Sequence, residues 1–158
     1  MYDVSALVYW YTQSERGMVM KGVRVVYATK TKHSKKIAEA IGKELGTKAI
    51  NVTDNPSVEK TELLFIIGGI YGGDSLPELL GFVDRLDPDN VKRVALVTSC
   101  ASKSQGQENV RKRLEEKGID VIDERLIQGS FLLYKLGRPN KADIQEAVDF
   151  ARTLQERL

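Results

Sequence analysis

The sequence predicts an α/β domain: a three-layer, doubly wound sheet of five parallel strands in the order 2-1-3-4-5. Three observations carry this. Short apolar or β-branched runs alternate with stretches of helical period along residues 23–158. The run ELLFIIGG (62–69) is apolar almost without a break, as in a strand covered on both faces. Five strands in a chain of 158 residues suit the doubly wound order. Right-handed crossovers then place the first and last helices on one face and the others opposite.

The elements follow in order. VRVVYA (23–28) is the first strand. KKIAEAIGKEL (35–45) sets Ile37, Ala38, Ile41 and Leu45 on one helical face, and Gly46 ends the helix. KAINV (48–52) is a short second strand, and residues 62–69 form the third. SLPELLGFVDRL (75–86) is a helix whose Pro77 is tolerated in the first turn. VKRVALVTSC (91–100) is the fourth strand, and 105–118 a charged helix with Val110 and Leu114 inward. IDVIDERLIQG (119–129) is the fifth strand. The helix 140–158 presents Ile144, Ala147, Val148, Ala151 and Leu154 as one stripe.

Composition narrows the function. Apolar residues make up 42% and charged residues 29%, a globular rather than a disordered balance. The net charge of +2 is spread along the chain, so nucleic acid and acidic membrane surfaces are not expected partners. A single cysteine, Cys100, excludes a disulfide framework and fits a reducing, cytoplasmic setting. No apolar run approaches the roughly 18 residues of a membrane span. Residues 1–21 differ from the rest and read as an N-terminal extension outside a core of 22–158. Asp3 and the short apolar run ALVYWY do not make a signal peptide.

In such a sheet ligands bind at the carboxyl ends of the strands where the winding reverses, here between the first and third strands. Three loops reach that place. The first, ATKTKHS, brings the hydroxyls of Thr29, Thr31 and Ser34 to a helix N-terminus, with Lys30, Lys32 and His33 between them. Free amides and the helix dipole there suit an anion, although helix capping alone also favours hydroxyls. In the second, GGIYGGDSLP, Gly69, Ile70, Tyr71, Gly72 and Gly73 combine a flexible backbone with one ring that can lie on a flat ligand; a plain turn with a half-buried tyrosine is the alternative. In the third, TSCASKSQGQ, the small residues Ser99, Cys100, Ala101 and Ser102 leave room for a ligand edge. Cys100 reads as a packing residue, and Lys103 as solvated or as a cation near developing negative charge.

Other phosphate chemistries fail. Neither G-x-x-x-x-G-K-[ST] nor G-x-G-x-x-G occurs. A phosphatase cysteine would want an arginine six positions on, and position 106 is Gly. A phospho-acceptor receiver would want acidic residues where Ala28, Thr29, Gly68 and Gly69 stand. One histidine and one cysteine make no ordinary zinc cluster.

These residues resemble the flavodoxin family. TKTKHS (29–34) is similar to its phosphate loop, approximately [ST]-x-T-G-x-[ST], with Lys32 where glycine is usual. IIGGIYGGDSLPELLGFVDRL resembles its second flavin loop and following helix, VALVTSCAS its fourth strand and third loop, and QGSFLLYKLGRPNKADIQEA the end of a short subgroup. The likeness spans about residues 22–158. It implies non-covalent FMN: Thr29, Thr31 and Ser34 with neighbouring amides on the phosphate, Tyr71 on the isoalloxazine, Gly72 near flavin N5, and Ser99, Cys100 and Ala101 amides facing the pyrimidine edge. The function implied is electron transfer between redox partner proteins. An FMN-dependent oxidoreductase, of the quinone-reductase or protoporphyrinogen-oxidase kind, is the alternative, with 129–139 as a pocket wall. A flavin-free binding module is the third. The sequence pI of about 8.6 argues against the basic partners that acidic flavodoxins meet.

Overall fold

The computed structural model describes residues 22–101, 104–129 and 137–158. Five strands, β1 (Val23–Tyr27), β2 (Ala49–Asn51), β3 (Thr61–Gly69), β4 (Val91–Cys100) and β5 (Asp120–Gln128), form one sheet in the order β2-β1-β3-β4-β5. Every pairing is parallel. Four helices accompany them: α1 (His33–Leu45), α2 (Pro77–Asp84), α3 (Glu108–Glu116) and α4 (Lys141–Gln155). The predicted architecture and strand order are those observed. The N-terminal extension lies outside the described residues. Among the described residues no helix is long and apolar enough to cross a membrane.

Strand alternation explains the layers. In β3, Leu63, Phe65 and Ile67 join Ile37, Ile41 and Leu45 of α1 and Ala147, Phe150, Ala151 and Leu154 of α4 in one core. Leu64 and Ile66 point the other way, to Leu79, Phe82 and Val83 of α2 and Val110 and Leu114 of α3. Both cores draw on the same strand, so each residue from Leu63 to Ile67 is fully buried. Val52 and Val58, in the link from β2 to β3, extend the second core where that crossover has no helix.

Boundaries moved for identifiable reasons. α1 starts at His33, two residues earlier than the apolar period indicates, because its first turn is polar. β2 stops at Asn51, whose side chain takes the Thr53 amide at 3.1 Å and opens a 3₁₀ turn over Val52–Asp54. α3 starts at Glu108 rather than 105, since Gln107 turns inward, fully buried, and donates to the carbonyls of Val97 (3.1 Å) and Ile66 (3.4 Å). The α4 stripe also takes in Phe150, while Ile144 is only half-buried. A capping box of Asn140 and Asp143 opens α4, and Arg138 grips the Asp143 carboxylate at 2.6 and 2.7 Å.

β5 is one of the two edges of the sheet. Its register against β4 slips between Val94 and Ala95: Val94 faces Val121, and Ala95 faces Asp123. Ile122 is the unmatched residue and is 36% exposed. Inward, Glu124 accepts hydrogen bonds from Thr98 Oγ1 (2.9 Å), the Gln107 amide (2.8 Å) and Arg111 (3.0 Å). This carboxylate therefore ties β4, β5 and the N-terminus of α3 together, where the helix dipole favours negative charge. A Cβ at Gly106 would fall 2.5 Å from Glu124 Oε1, so only glycine lets the carboxylate approach.

Phe65 tests the layer argument, because it touches one core from the middle of the central strand. Phe65→Ala is expected to lower unfolding free energy by about 3–5 kcal/mol, read as a shift of the urea midpoint. A loss below about 1 kcal/mol would mean the sheet is not packed as described.

Candidate functional site

The register aligns the carboxyl ends of the central strands. Tyr27 pairs with Ile67, Gly69 with Ser99 and Cys100 with Gln128. The loops after β1, β3 and β4 thus leave the sheet at one end, side by side. The sequence places its candidate residues on those loops. Ser102 and Lys103, and the segment 130–136 considered as a pocket wall, lie outside the described residues.

The first loop crosses from β1 to α1 in five residues, and Ala28 still donates to the Ile67 carbonyl at 3.0 Å. Ser34 is fully buried, yet its hydroxyl has no hydrogen-bond partner. The hydroxyl of Thr29 is likewise buried and unpartnered. Leaving a buried polar group unmade costs about 1–3 kcal/mol, so two such groups beside one helix start call for a partner outside the chain. Ser75 and Gln107 carry the other two buried, unpartnered atoms among the described residues; both lie along the β3–α3 side. Thr31, Lys30 and Lys32 are exposed, and His33 is half-buried.

Lys32 is the N-cap of α1 and adopts φ 67°, ψ 0°, with no side-chain cap. Glycine reaches this left-handed region freely, whereas a residue with a Cβ gives up roughly 1–2 kcal/mol. The loop thus keeps the backbone turn that glycine would allow, on a lysine. No acidic residue occupies the first turn of α1. The end of the helix is electropositive from its amides, its dipole and its lysines together.

The second loop is a tight hairpin. Tyr71 and Asp74 exchange backbone hydrogen bonds at 2.8 and 3.3 Å across Gly72 (φ 61°) and Gly73 (φ 87°). Positive φ at both central positions is the requirement of a two-residue primed turn, which explains the glycine pair. Among the described residues nothing comes within 4 Å of where a Cβ on either glycine would stand, so the tip carries no side chain of its own and has room on that side. Side chains that the sequence reading passed over hold it: Gln105 donates to the Gly73 carbonyl at 2.7 Å and Asn109 to the Asp74 carboxylate at 2.6 Å. The spacing Gln105–Asn109 follows a helix period into α3, a signal visible only once the two loops are known to be neighbours.

Tyr71 does not point away from the protein. Its ring lies on the backbone of Gly69, where a Cβ would meet Cε2 and Oη at 2.9 Å. Its hydroxyl accepts from the Lys30 amide at 3.1 Å, and the Lys30 ammonium stands 5.9 Å from the ring centroid. The second loop is therefore latched to the first through one of the amides that face the α1 N-terminus.

In the third loop Ser99 and Cys100 are buried and Ala101 half-buried. The Ile70 amide reaches the Ser99 carbonyl at 3.4 Å, and Gly129 donates to the Cys100 carbonyl at 3.0 Å. Gln128, at the end of β5, donates to the carbonyls of Ala101 and, at 3.1 Å, Gly129. A Cβ on Gly129 would sit 2.7 Å from Ser99 Oγ. The carbonyls of Cys100 and Ala101 are thus turned toward the end of β5, and that of Ser99 toward Ile70 after β3.

A groove of about 550 Å³ lies elsewhere, between β5 and α4, lined by Asp123, Arg125, Glu146, Asp149 and Phe150. Arg125 stands 5.2 Å from the Phe150 ring there, and its guanidinium is 3.9 Å from Glu146. These groups compensate one another and converge on no shared point.

Comparison with known proteins follows this geometry. Residues 24–152 match the family described as the flavodoxin domain. No curated protein sequence matches the chain. Among solved structures, flavodoxin 2 from Bacillus cereus in its oxidised form superposes with a TM-score of 0.65 at 14% identity, over 86% of this chain and 99% of that one. A flavodoxin from the domain Archaea gives 0.60 at 17% identity, over 85% and 96%. The NAD(P)H:quinone oxidoreductase of Methanothermobacter marburgensis gives 0.55 at 12% identity, over 84% and 98%. At these identities the superpositions establish a shared fold.

His33 offers a check on the first loop. Burial, and then the neighbouring Lys36 charge, hold its imidazole below the ordinary value. As pH falls, the unfolded chain takes up this proton before the folded one does. Stability should therefore decline as pH drops below about 6.5. His33→Gln should flatten that part of the stability–pH curve, measured by urea midpoints; an unchanged slope would place the imidazole in water.

Proposed function

The chain belongs to the flavodoxin domain family, and on that premise we propose that it binds FMN at the β1–β3 mouth and carries electrons between redox partner proteins. The observation that carries this reading is the pair of buried, unpartnered hydroxyls of Thr29 and Ser34 at the N-terminus of α1. A phosphoryl oxygen is the acceptor such a site lacks: it takes hydroxyl and amide hydrogen bonds, and its charge suits the helix end. The residues present fit the group. Thr29, Thr31, Ser34 and the amides of residues 30–34 would hold the phosphate, with Lys30 and Lys32 beside them.

Bound flavin supplies reversible uptake of electrons, which no side chain of this protein can provide. The chain's own residues bind, orient and shield. Tyr71 has a double part. Its hydroxyl accepts from the Lys30 amide, and on giving up that amide Tyr71 would be free to face a flavin. The freed ring, anchored by the Tyr71–Asp74 hairpin, is then available to lie on the isoalloxazine. Gly72 and Gly73 offer backbone without side chains at the ring's edge, and the amides of Ser99, Cys100 and Ala101 lie on the neighbouring loop.

A hairpin tip made of two glycines favours a carrier, because electron exchange between proteins needs close approach and little else at the contact. Exposed Lys30, Lys32 and Lys36 border the mouth, so a neutral or acidic partner surface suits it better than a basic one. A buried lone cysteine and charged exterior fit work in a reducing, cytoplasmic setting.

Adding FMN to the full chain at micromolar concentration is expected to quench flavin fluorescence and leave the protein yellow after gel filtration. Unquenched flavin that separates from the protein would refute the reading. Turnover of NAD(P)H with a quinone is expected to be slow relative to one-electron exchange with a chemical donor; brisk steady-state turnover would make the protein an oxidoreductase instead. Tyr71→Ala should weaken FMN about tenfold or more, since stacking on a flat base is worth about 1–3 kcal/mol. Tyr71→Phe keeps the ring and frees the Lys30 amide, so FMN should bind at least as tightly as to the unaltered chain.

A further inference from the structure

Lys32 stands where none of the usual reasons for an N-cap residue applies. It has the wrong conformational preference, since its φ of 67° is one that glycine adopts without strain. It supplies no side-chain cap to the helix, as serine, aspartate or asparagine would. It buries nothing, for its side chain is exposed. As a cation at a helix N-terminus it also opposes the dipole. Conformation, capping, packing and dipole all argue against lysine here, and only its charge remains to be explained.

The surroundings point to what the charge is for. Ser34 is fully buried with its hydroxyl unpartnered, and the buried Thr29 hydroxyl is unpartnered too. Both lie within three residues of Lys32, on either side of it. Lys30 is exposed two residues before, and Lys36, whose amide closes the first helical hydrogen bond onto the Lys32 carbonyl at 3.1 Å, is exposed one turn after. No acid sits in the first turn to neutralise them. Among the described residues no ion pair engages Lys32; Lys35 is the lysine of this stretch that pairs, with Glu39 at 3.8 Å. Burial first, and then the charge of Lys36, lowers the affinity of the neighbouring His33 for its proton. A dianion in this mouth would meet hydroxyls, amides and cations at once.

We propose that Lys32 is a specificity residue for the phosphoryl group: it holds a strained left-handed backbone so that a cation stands at the mouth of α1, and through that charge the chain selects phosphorylated over unphosphorylated flavin. This rests on the flavin reading above and adds to it the residue and the force by which the phosphate is chosen. Hydrogen bonds alone would make affinity nearly independent of salt. A charge contribution makes it fall as salt rises, because exposed charges are screened over about 10 Å at 0.1 M ionic strength.

The test compares FMN with riboflavin, which lacks the phosphate, by fluorescence-quenching titration of the full chain at low and high salt. Three variants separate strain from charge. Lys32→Gly removes both, Lys32→Gln removes the charge alone, and Lys32→Arg keeps both. Lys32→Gly and Lys32→Gln are expected to weaken FMN roughly three- to tenfold at low salt, to leave riboflavin unchanged and to lessen the salt dependence, with Lys30 and Lys36 keeping the remainder. Lys32→Arg should behave as the unaltered chain. Lys32→Gly should also raise the urea midpoint while it weakens FMN, so a general loss of structure cannot account for the weaker binding. FMN affinity unchanged in Lys32→Gly and Lys32→Gln, or lost in parallel with riboflavin, would overturn the assignment of Lys32 alone. An unaltered chain that binds neither flavin would overturn this proposal together with the flavin reading.

Discussion

β3 can bury every side chain from Leu63 to Ile67 only if both faces of the sheet are covered. That requirement orders the rest of the molecule. Helices α1 and α4 must lie on one side, α2 and α3 on the other, and the connections must cross from one layer to the other around the central strands. Backbone groups inside the sheet are then fully used in the ladder. Those left over gather where β1 and β3 end and their chains turn to opposite faces. The candidate site is a product of this constraint before any of its side chains is chosen.

The second level of organisation is polar and lies on the β5 side. Glu124 and Gln107 satisfy groups from β3, β4, β5 and α3 in a region where few apolar residues reach. Gln105 and Asn109 continue the same loop and helix outward to hold the Gly73 and Asp74 hairpin. The hairpin is thereby fastened to a part of the structure that is itself cross-linked. A glycine-rich turn that would otherwise sample many shapes is held in one.

How much of this the sequence disclosed depends on the kind of signal. The strands and their order were legible because two-sided burial writes an unbroken apolar run, as in residues 62–69, and helix faces write a period, as in Ile37, Ala38, Ile41 and Leu45. The first loop stood out as a candidate anion site because its hydroxyls cluster at a strand exit. The left-handed turn at Lys32 was not, since lysine carries no conformational signature and the usual marker, glycine, is missing. The start of α3 was misplaced because Gln107 looks like a surface residue and is instead fully buried. Tyr71 could be foreseen as a ring between glycines, but its bond to the Lys30 amide joins residues 41 positions apart, and one-dimensional spacing does not reveal such pairs.

The slipped register of β5 has a bearing on behaviour at high concentration. An open sheet edge is a template on which another chain can add a strand. Here the bulge at Ile122 breaks the flat row of amides and carbonyls, and Asp120, Asp123 and Arg125 set charge along it. A second molecule laying its own edge against this one would have to match an irregular ladder and accept close charges. The β5 edge is in this way guarded against the strand addition that leads to fibrous stacking.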